Sequence, residues 1–239
     1  MRNKTEIITK LQKAMEFYDE LGFEYLPVKR VDIEKFSLKK TGAAQSKENA
    51  LEDLRRQIGE CQRCKLSQNR KNIVFGEGCP DAGLMFIGEG PGKDEDIQAR
   101  PFVGDAGKLL TRLIVKLKMK REEVYIANIV KCRPPNNRNP EEDEITACRP
   151  FIEKQIEIVN PGVIVCLGRI STQALLRINM PISRARGGFF QYGDIPVMPT
   201  FHPAYLLRNR GDKQLTWEDM GKVIQKLNPK NADIAQPNN

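Results

Sequence analysis

A chain of 239 residues, 40% of them hydrophobic, is long enough to bury one sizeable core, either as a single large domain or as a domain with an extension. Its 39 Lys and Arg against 31 Asp and Glu leave a formal charge of +8, which favours a polyanionic partner such as nucleic acid. No stretch approaches the roughly 20 apolar residues that span a bilayer, and Met1-Arg2-Asn3-Lys4-Thr5-Glu6 is not the apolar core of a signal peptide, so a membrane protein is excluded and a cytoplasmic one expected.

Taken in chain order, Ile7, Ile8, Leu11, Met15, Tyr18 and Leu21 recur at helical spacing and predict an amphipathic helix over 3–22. A mostly polar stretch, 31–47, follows and carries Thr41-Gly42-Ala43-Ala44-Gln45-Ser46, the composition of a linker. Residues 1–46 therefore read as an N-terminal helical extension with its linker, and 47–228 as the main domain. A helix over 46–59 opens that domain with Ser46 as N-cap, although Asn49 stands where a full capping box wants Glu or Gln. Strands are predicted at 83–88, 124–130, 163–167 and 195–200, and helices at 106–118, 140–159, 168–178 and 213–227. Such alternation implies an α/β fold in which parallel strands are covered by helices on both faces. The polar residues 229–239 read as a disordered tail.

Two loops stand out. Gly88-Glu89-Gly90-Pro91-Gly92-Lys93-Asp94-Glu95-Asp96 follows the apolar run Leu84-Met85-Phe86-Ile87 and leaves the backbone almost bare just past the carboxyl end of a strand, where open α/β sheets bind their ligands. Phe201-His202-Pro203, after the run Ile195-Pro196-Val197-Met198-Pro199, carries the only histidine of the chain. The glycine loop matches neither GxGxxG nor GxxxxGK[ST], which argues against a nucleotide-binding domain.

Six cysteines in a reducing compartment read as metal ligands or buried thiols, not disulfides. Cys61-Gln62-Arg63-Cys64 is a CxxC pair, and Cys132 and Cys148 supply two more thiols far downstream. Four thiolates from separated segments suit tetrahedral zinc or an iron-sulfur cluster, and spacing does not choose between them. Cys166, inside Val163-Ile164-Val165-Cys166-Leu167, reads as a small buried hydrophobe, and Cys79, before Pro80, as an exposed thiol.

Four motifs taken together resemble a known family: Gly88-Glu89-Gly90-Pro91-Gly92 with Glu95-Asp96; Arg100-Pro101-Phe102-Val103-Gly104; Asn128-Ile129-Val130-Lys131-Cys132-Arg133-Pro134-Pro135-Asn136-Asn137-Arg138; and His202-Pro203-Ala204-Tyr205-Leu206-Leu207-Arg208. In order and spacing, over about residues 55–226, they resemble the family four (thermostable-type) uracil-DNA glycosylases. The resemblance implies a three-layer α/β/α fold around a central parallel sheet. It also implies a structural [4Fe-4S] cluster on Cys61, Cys64, Cys132 and Cys148. The implied activity is excision of uracil from DNA in base excision repair of deaminated cytosine, with uracil-containing DNA as partner, no membrane, and a monomeric protein.

An enzyme that acts on a stacked base must first flip it out, at a cost of roughly a few kcal/mol that its pocket has to recover. Phe102 offers a ring for stacking, and the Asn128 carboxamide can donate to uracil O4 and accept from N3–H, a pattern that cytosine presents in reverse. Neutral His202 presents N–H to uracil O2, where negative charge develops as the N-glycosidic bond breaks, and the backbone N–H groups of Gly88, Glu89 and Gly90 add to that stabilisation. A carboxylate near the sugar, Glu89 or Glu95, orients water or offsets the oxocarbenium charge. For DNA contact, Leu206 or Leu207 fills the vacated stack while Arg208 and Arg210 hold phosphates. Arg169, Arg184 and Arg186 either widen that track or lie on solvated surface.

Ala99 and Asp105 depart from the family pattern, standing where glycine and arginine are common; the expected effects are one added methyl near the pocket and one lost phosphate contact. A covalent uracil-trapping relative is disfavoured, since Gly90 replaces its glutamine and no second histidine exists to attack the sugar. The extension 1–46 lies outside the resemblance, and its helix either docks on the domain, binds a repair partner or does neither.

Overall fold

The computed structural model describes residues 46–227. The predicted helix of 3–22, the linker and the tail lie outside the described residues. Helix α1 (Lys47–Ile58) begins where expected: the Ser46 hydroxyl accepts a hydrogen bond from the Asn49 backbone N–H at 3.2 Å, satisfying one of the first-turn donors.

A six-stranded sheet follows, built from β1 (Glu77–Gly78), β2 (Leu84–Gly88), β3 (Tyr125–Asn128), β4 (Val163–Leu167), β5 (Phe190–Tyr192) and β6 (Ile195–Thr200), in the order β1-β3-β2-β4-β6-β5. The four inner strands run parallel, and the two edges, β1 against β3 and β5 against β6, are antiparallel. The parallel core was legible in the four apolar runs. The edge strands are two and three residues long, too short for any alternation to register.

Between the strands lie α2 (Lys93–Gln98), α3 (Asp105–Lys116), α4 (Glu142–Val159), α5 (Arg169–Leu176), α6 (Ile182–Ala185), α7 (Pro203–Arg208) and α8 (Lys213–Leu227). Because successive strand side chains point to opposite faces, the inner strands feed two separate cores. Met85, Ile87, Tyr125, Ala127, Ile164 and Cys166 pack with α1, α4 and α5. Leu84, Phe86, Ile126, Val163, Val165 and Met198 pack with α3 and α8. The result is the expected α/β/α sandwich. Cys166 is fully buried as foreseen, whereas Cys79 is half-buried against the first core and not an exposed thiol. No helix of the described residues is long and apolar enough to cross a membrane.

Chain order places β3 on one side of β2 and β4 on the other, so the connections diverge at the carboxyl end of β2. Such a switch point opens a crevice, and Gly88 ends the strand beside it.

Ala99 corrects one expectation. It is solvent-exposed and caps the end of α2 at φ 55°, in the left-handed region, so its methyl strains the backbone instead of crowding a pocket. Ala99→Gly is expected to stabilise the fold by about 1 kcal/mol, raising Tm by about 2–4 °C in thermal denaturation. Asp105 is also exposed, and its carboxylate accepts from Lys108 Nζ at 2.9 Å.

Candidate active site

The ends of β2, β3 and β6 and the loops after them enclose a cavity of about 450 Å3, within the range of small-ligand sites. Glu89, Gly90, Phe102, Asn128, His202 and Arg208 all line it. Residues separated by more than a hundred positions therefore meet at one place, as the two-loop reading requires.

Asn128 ends β3 directly opposite Gly88 of β2. It is buried, and its Oδ1 has no hydrogen-bond partner, an arrangement that is costly unless a ligand supplies a donor. Gly88 itself does not line the cavity. A Cβ there would lie 2.4 Å from Asn128 Oδ1 and 2.5 Å from Phe102 Cζ, so the bare glycine exists to admit those two side chains. Of the loop that follows, Glu89, Gly90, Pro91, Gly92 and Glu95 reach the cavity.

Phe102 is buried with φ 51°, a conformation that an aromatic residue holds only when its surroundings fix it. Glu95 is what fixes it. Its Oε1 accepts from the N–H groups of Val103 and Gly104, both at 2.9 Å, and its Oε2 accepts from Gly92 N–H at 3.1 Å, binding the first loop to the second. Arg121 adds a hydrogen bond to the Pro101 carbonyl at 2.6 Å. Gly107 completes the fit, since a Cβ there would lie 1.9 Å from the Phe102 carbonyl oxygen.

His202 caps α7, with Pro203 in the first turn. Its Nδ1 accepts from the Ala204 N–H at 3.1 Å, which places the ring proton of the neutral imidazole on Nε2. Burial holds its pKa down to about 4, the Arg208 cation adds to this and Glu95 opposes it. The ring is therefore neutral at physiological pH. It stands 5.7 Å from the Phe102 ring, centroid to centroid.

Glu89 contrasts with Glu95. Its carboxylate takes no hydrogen bond among the described residues, and burial raises its pKa to about 6 against the opposing pull of Arg169. Of the two candidate carboxylates, one is committed to backbone donors and one is unengaged.

The leucine pair divides. Leu207 is 37% exposed, whereas Leu206 is 4% exposed and packs away from solvent, so Leu206 cannot enter a base stack. Arg208 and Arg210 are both exposed. Arg186 is not part of a phosphate track: it pairs with Asp219 and donates to the Leu215 carbonyl. Arg169 and Arg184 are on the surface. The 134–139 segment, which the resemblance sets next to the active site, brings Asn137, Arg138 and Asn139 to the cavity wall, although sequence reasoning gave none of the three a role; Arg138 is held there by Glu144 at 2.6 Å. The Pro134-Pro135 signal marked that loop without indicating its direction.

The family model of the uracil-DNA glycosylase superfamily matches residues 75–227. The chain belongs to this superfamily. It is 51% identical over 183 residues to the type-4 uracil-DNA glycosylase of Saccharolobus solfataricus, covering 73% of this chain and 85% of the relative. The type-4 uracil-DNA glycosylase of Sulfurisphaera tokodaii is 45% identical over 196 residues, with coverage of 78% and 89%. That of Thermotoga maritima is 45% identical over 182 residues, with coverage of 74% and 95%. The chain thus belongs to an enzyme family of DNA glycosylases.

On the sheet face opposite α3, Cys61, Cys64, Cys132 and Cys148 line one small cavity, and all are free thiols. Three nitrogen donors face the sulfurs: Arg63 Nη1 to Cys61 Sγ at 3.3 Å, Arg70 Nη1 to Cys132 Sγ at 3.5 Å, and Lys131 N–H to Cys148 Sγ at 3.3 Å. Burial pushes the Cys132 thiol up to about 12, with Arg70 opposing, so its thiolate needs a metal's charge to form. Among the described residues no group of three His, Cys, Asp or Glu side chains closes at the spacing of a single metal ion.

Lys131 connects this cavity with the active site. It is fully buried, its backbone N–H serves Cys148, and its Nζ donates to the Asn128 carbonyl at 2.8 Å and to Gln155 Oε1. Gln155 in turn donates to the Phe75 carbonyl at 2.9 Å. The strand end that carries the Asn128 carboxamide is therefore held from the cysteine side.

Proposed function

We propose that the chain is a monofunctional uracil-DNA glycosylase that flips uracil into the cavity and hydrolyses its N-glycosidic bond, leaving an abasic site for base excision repair. The observation that carries this reading is the buried, unpartnered Oδ1 of Asn128 beside the Phe102 ring and the Nε2–H of neutral His202. Together they offer an acceptor for N3–H, a stacking face, and a donor for O2. Bond cleavage places negative charge on the departing base, and His202 answers it without having to give up a positive charge. We assign the carboxylate role at the sugar to Glu89 and a positioning role to Glu95, since both oxygens of Glu95 are occupied by backbone donors. Leu207, Arg208 and Arg210 form the DNA-contacting edge.

Product analysis tests the chemistry. Hydrolysis releases free uracil and an abasic sugar in equal amount, whereas a covalent protein-DNA adduct would contradict it. Glu89 gives a pH signature. If its carboxylate acts, kcat/KM rises with pH through an apparent pKa of about 6, and Glu89→Gln removes that limb; a profile unchanged by the substitution would dismiss the role.

The four cysteines fit a [4Fe-4S] cluster: the donors are all sulfur, they come from three separate segments, and N–H groups surround them. Such a cluster supplies structural cross-linking at this place. Cys132 lies two residues before Pro134 on the wall of the uracil cavity. Cys132→Ala is expected to abolish the visible absorbance of the anaerobically purified protein and to loosen the 132–139 loop. Retention of full absorbance and activity would refute the assignment.

With this reading go a monomeric, cytoplasmic protein, a catalytic domain spanning 47–228, and an extension, 1–46, available to a repair partner.

A further inference from the structure

Helix α7 has two flanks. His202, Ala204, Tyr205 and Arg208 face the uracil cavity, while Phe201, Pro203 and Leu206 line a second cavity of about 590 Å3 between α3, α7 and the start of α8. This second cavity exceeds the first in volume, and the reading above leaves it without a role. Its walls are largely apolar, with Leu110, Leu113 and Trp217 facing the α7 residues. Every charged residue on it is a cation: Arg112, Lys116 and Lys213. No carboxylate lines it, and among the described residues none of the three forms an ion pair. Lys116 Nζ stands 5.9 Å from the centroid of the Trp217 ring.

One polar atom beneath the cavity wall is unpartnered. Thr216 is 2% exposed, lines the wall, and its Oγ1 has no hydrogen-bond partner. On α3, Lys108, Arg112 and Lys116 follow one another at four-residue spacing and so share a face, with Lys108 engaged by Asp105. The cavity thus combines apolar and aromatic walls with a cationic rim.

We propose that this second cavity is a nucleotide subsite, which takes an unstacked base of the same DNA strand while Arg112, Lys116 and Lys213 hold its flanking phosphates. The inference rests on the uracil-excision reading and adds a place for the strand beyond the flipped base. Aromatic and apolar walls accept the face of any base, and cations that neutralise phosphates add sequence-independent affinity. The two cavities lie on opposite flanks of one helix, which with its side chains is about 10–12 Å across, a span that a few nucleotides of an unpaired strand can cover. Only an unpaired flank can deliver a base there, so the subsite favours uracil in single-stranded or frayed DNA.

Trp217 is the only tryptophan of the chain, so fluorescence excited selectively at tryptophan reads this cavity. The full chain is titrated with a uracil-free single-stranded thymidine 12-mer, and kcat/KM is measured on single-stranded substrates with one or six thymidines on each side of uracil. Expected are saturable quenching of Trp217 and a preference of about tenfold or more for the longer flanks. K116Q/K213Q should remove that preference and the quenching while leaving the short substrate unaffected. It should also flatten the slope of log affinity against log salt by about 1.4 on the longer strand, at roughly 0.7 per phosphate contact. Trp217→Leu, which retains an apolar wall, provides a second variant if the first fails to fold, and should also remove the flank preference. Equal losses on short and long substrates, no quenching by DNA, or quenching only by an apolar sulfonate dye or an acidic peptide would each overturn the subsite. Excision of the short substrate by the unaltered chain tests the uracil reading separately, because quenching by uracil-free DNA does not require bond cleavage.

Discussion

His202→Ala is expected to lower kcat for uracil excision by about 10²–10³-fold while leaving the affinity for uracil-containing DNA within about threefold. The expectation follows from when the contact matters. In the ground state uracil O2 is a neutral carbonyl with little to gain from one more donor in a buried site. As the glycosidic bond opens it takes on negative charge, and a donor already oriented there is worth far more. Orientation is supplied by the Ala204 N–H on Nδ1 and by the cap position of His202 on α7. Because burial holds the ring neutral, with a pKa of about 4, no activity limb near neutral pH should belong to His202. Single-turnover excision beside equilibrium DNA binding separates the two effects. Equal losses in both, or unchanged turnover, would remove His202 from the transition state.

Asn128→Asp is expected to lower uracil excision by at least about 10²-fold and to narrow the preference for uracil over cytosine by at least about 10-fold. An amide offers one donor and one acceptor, matched to O4 and N3–H of uracil. An ionised carboxylate offers acceptors alone, and a protonated one can present the reversed pattern that cytosine needs. Sites built on paired hydrogen bonds reject a mismatched ligand because buried groups are then left unpartnered, as Asn128 Oδ1 already is without a base. Rates on matched uracil and cytosine oligonucleotides decide the matter. An unaltered ratio would take Asn128 out of base recognition.

The sequence reading reached the parallel core because β2, β3, β4 and β6 are short apolar runs buried on both faces, and it reached α1 because Ser46 is a conventional cap. It also named most of the cavity, since bare loops after strands are where ligands bind in such sheets. What escaped it depends on direction. Leu206 and Leu207 are chemically alike, and only the turn of α7 sends one inward and leaves the other exposed. Glu89 and Glu95 are alike too, until two backbone donors on the Phe102 loop and one on the glycine loop claim Glu95. Gly88 was read as a backbone donor, and no sequence signal showed that the side chain it lacks makes room for Asn128 and Phe102. Lys131 gave no signal, because burial of a lysine against carbonyl and amide oxygens arises from tertiary packing.

The most direct test of the central claim is alkaline strand scission of an end-labelled oligonucleotide containing a single uracil, beside otherwise identical thymine and cytosine controls, with protein purified anaerobically. Breaks confined to the uracil position, with free uracil released in equal amount, are the expected result. Absence of breaks from a folded protein that still binds the DNA would contradict the assignment of the cavity to uracil.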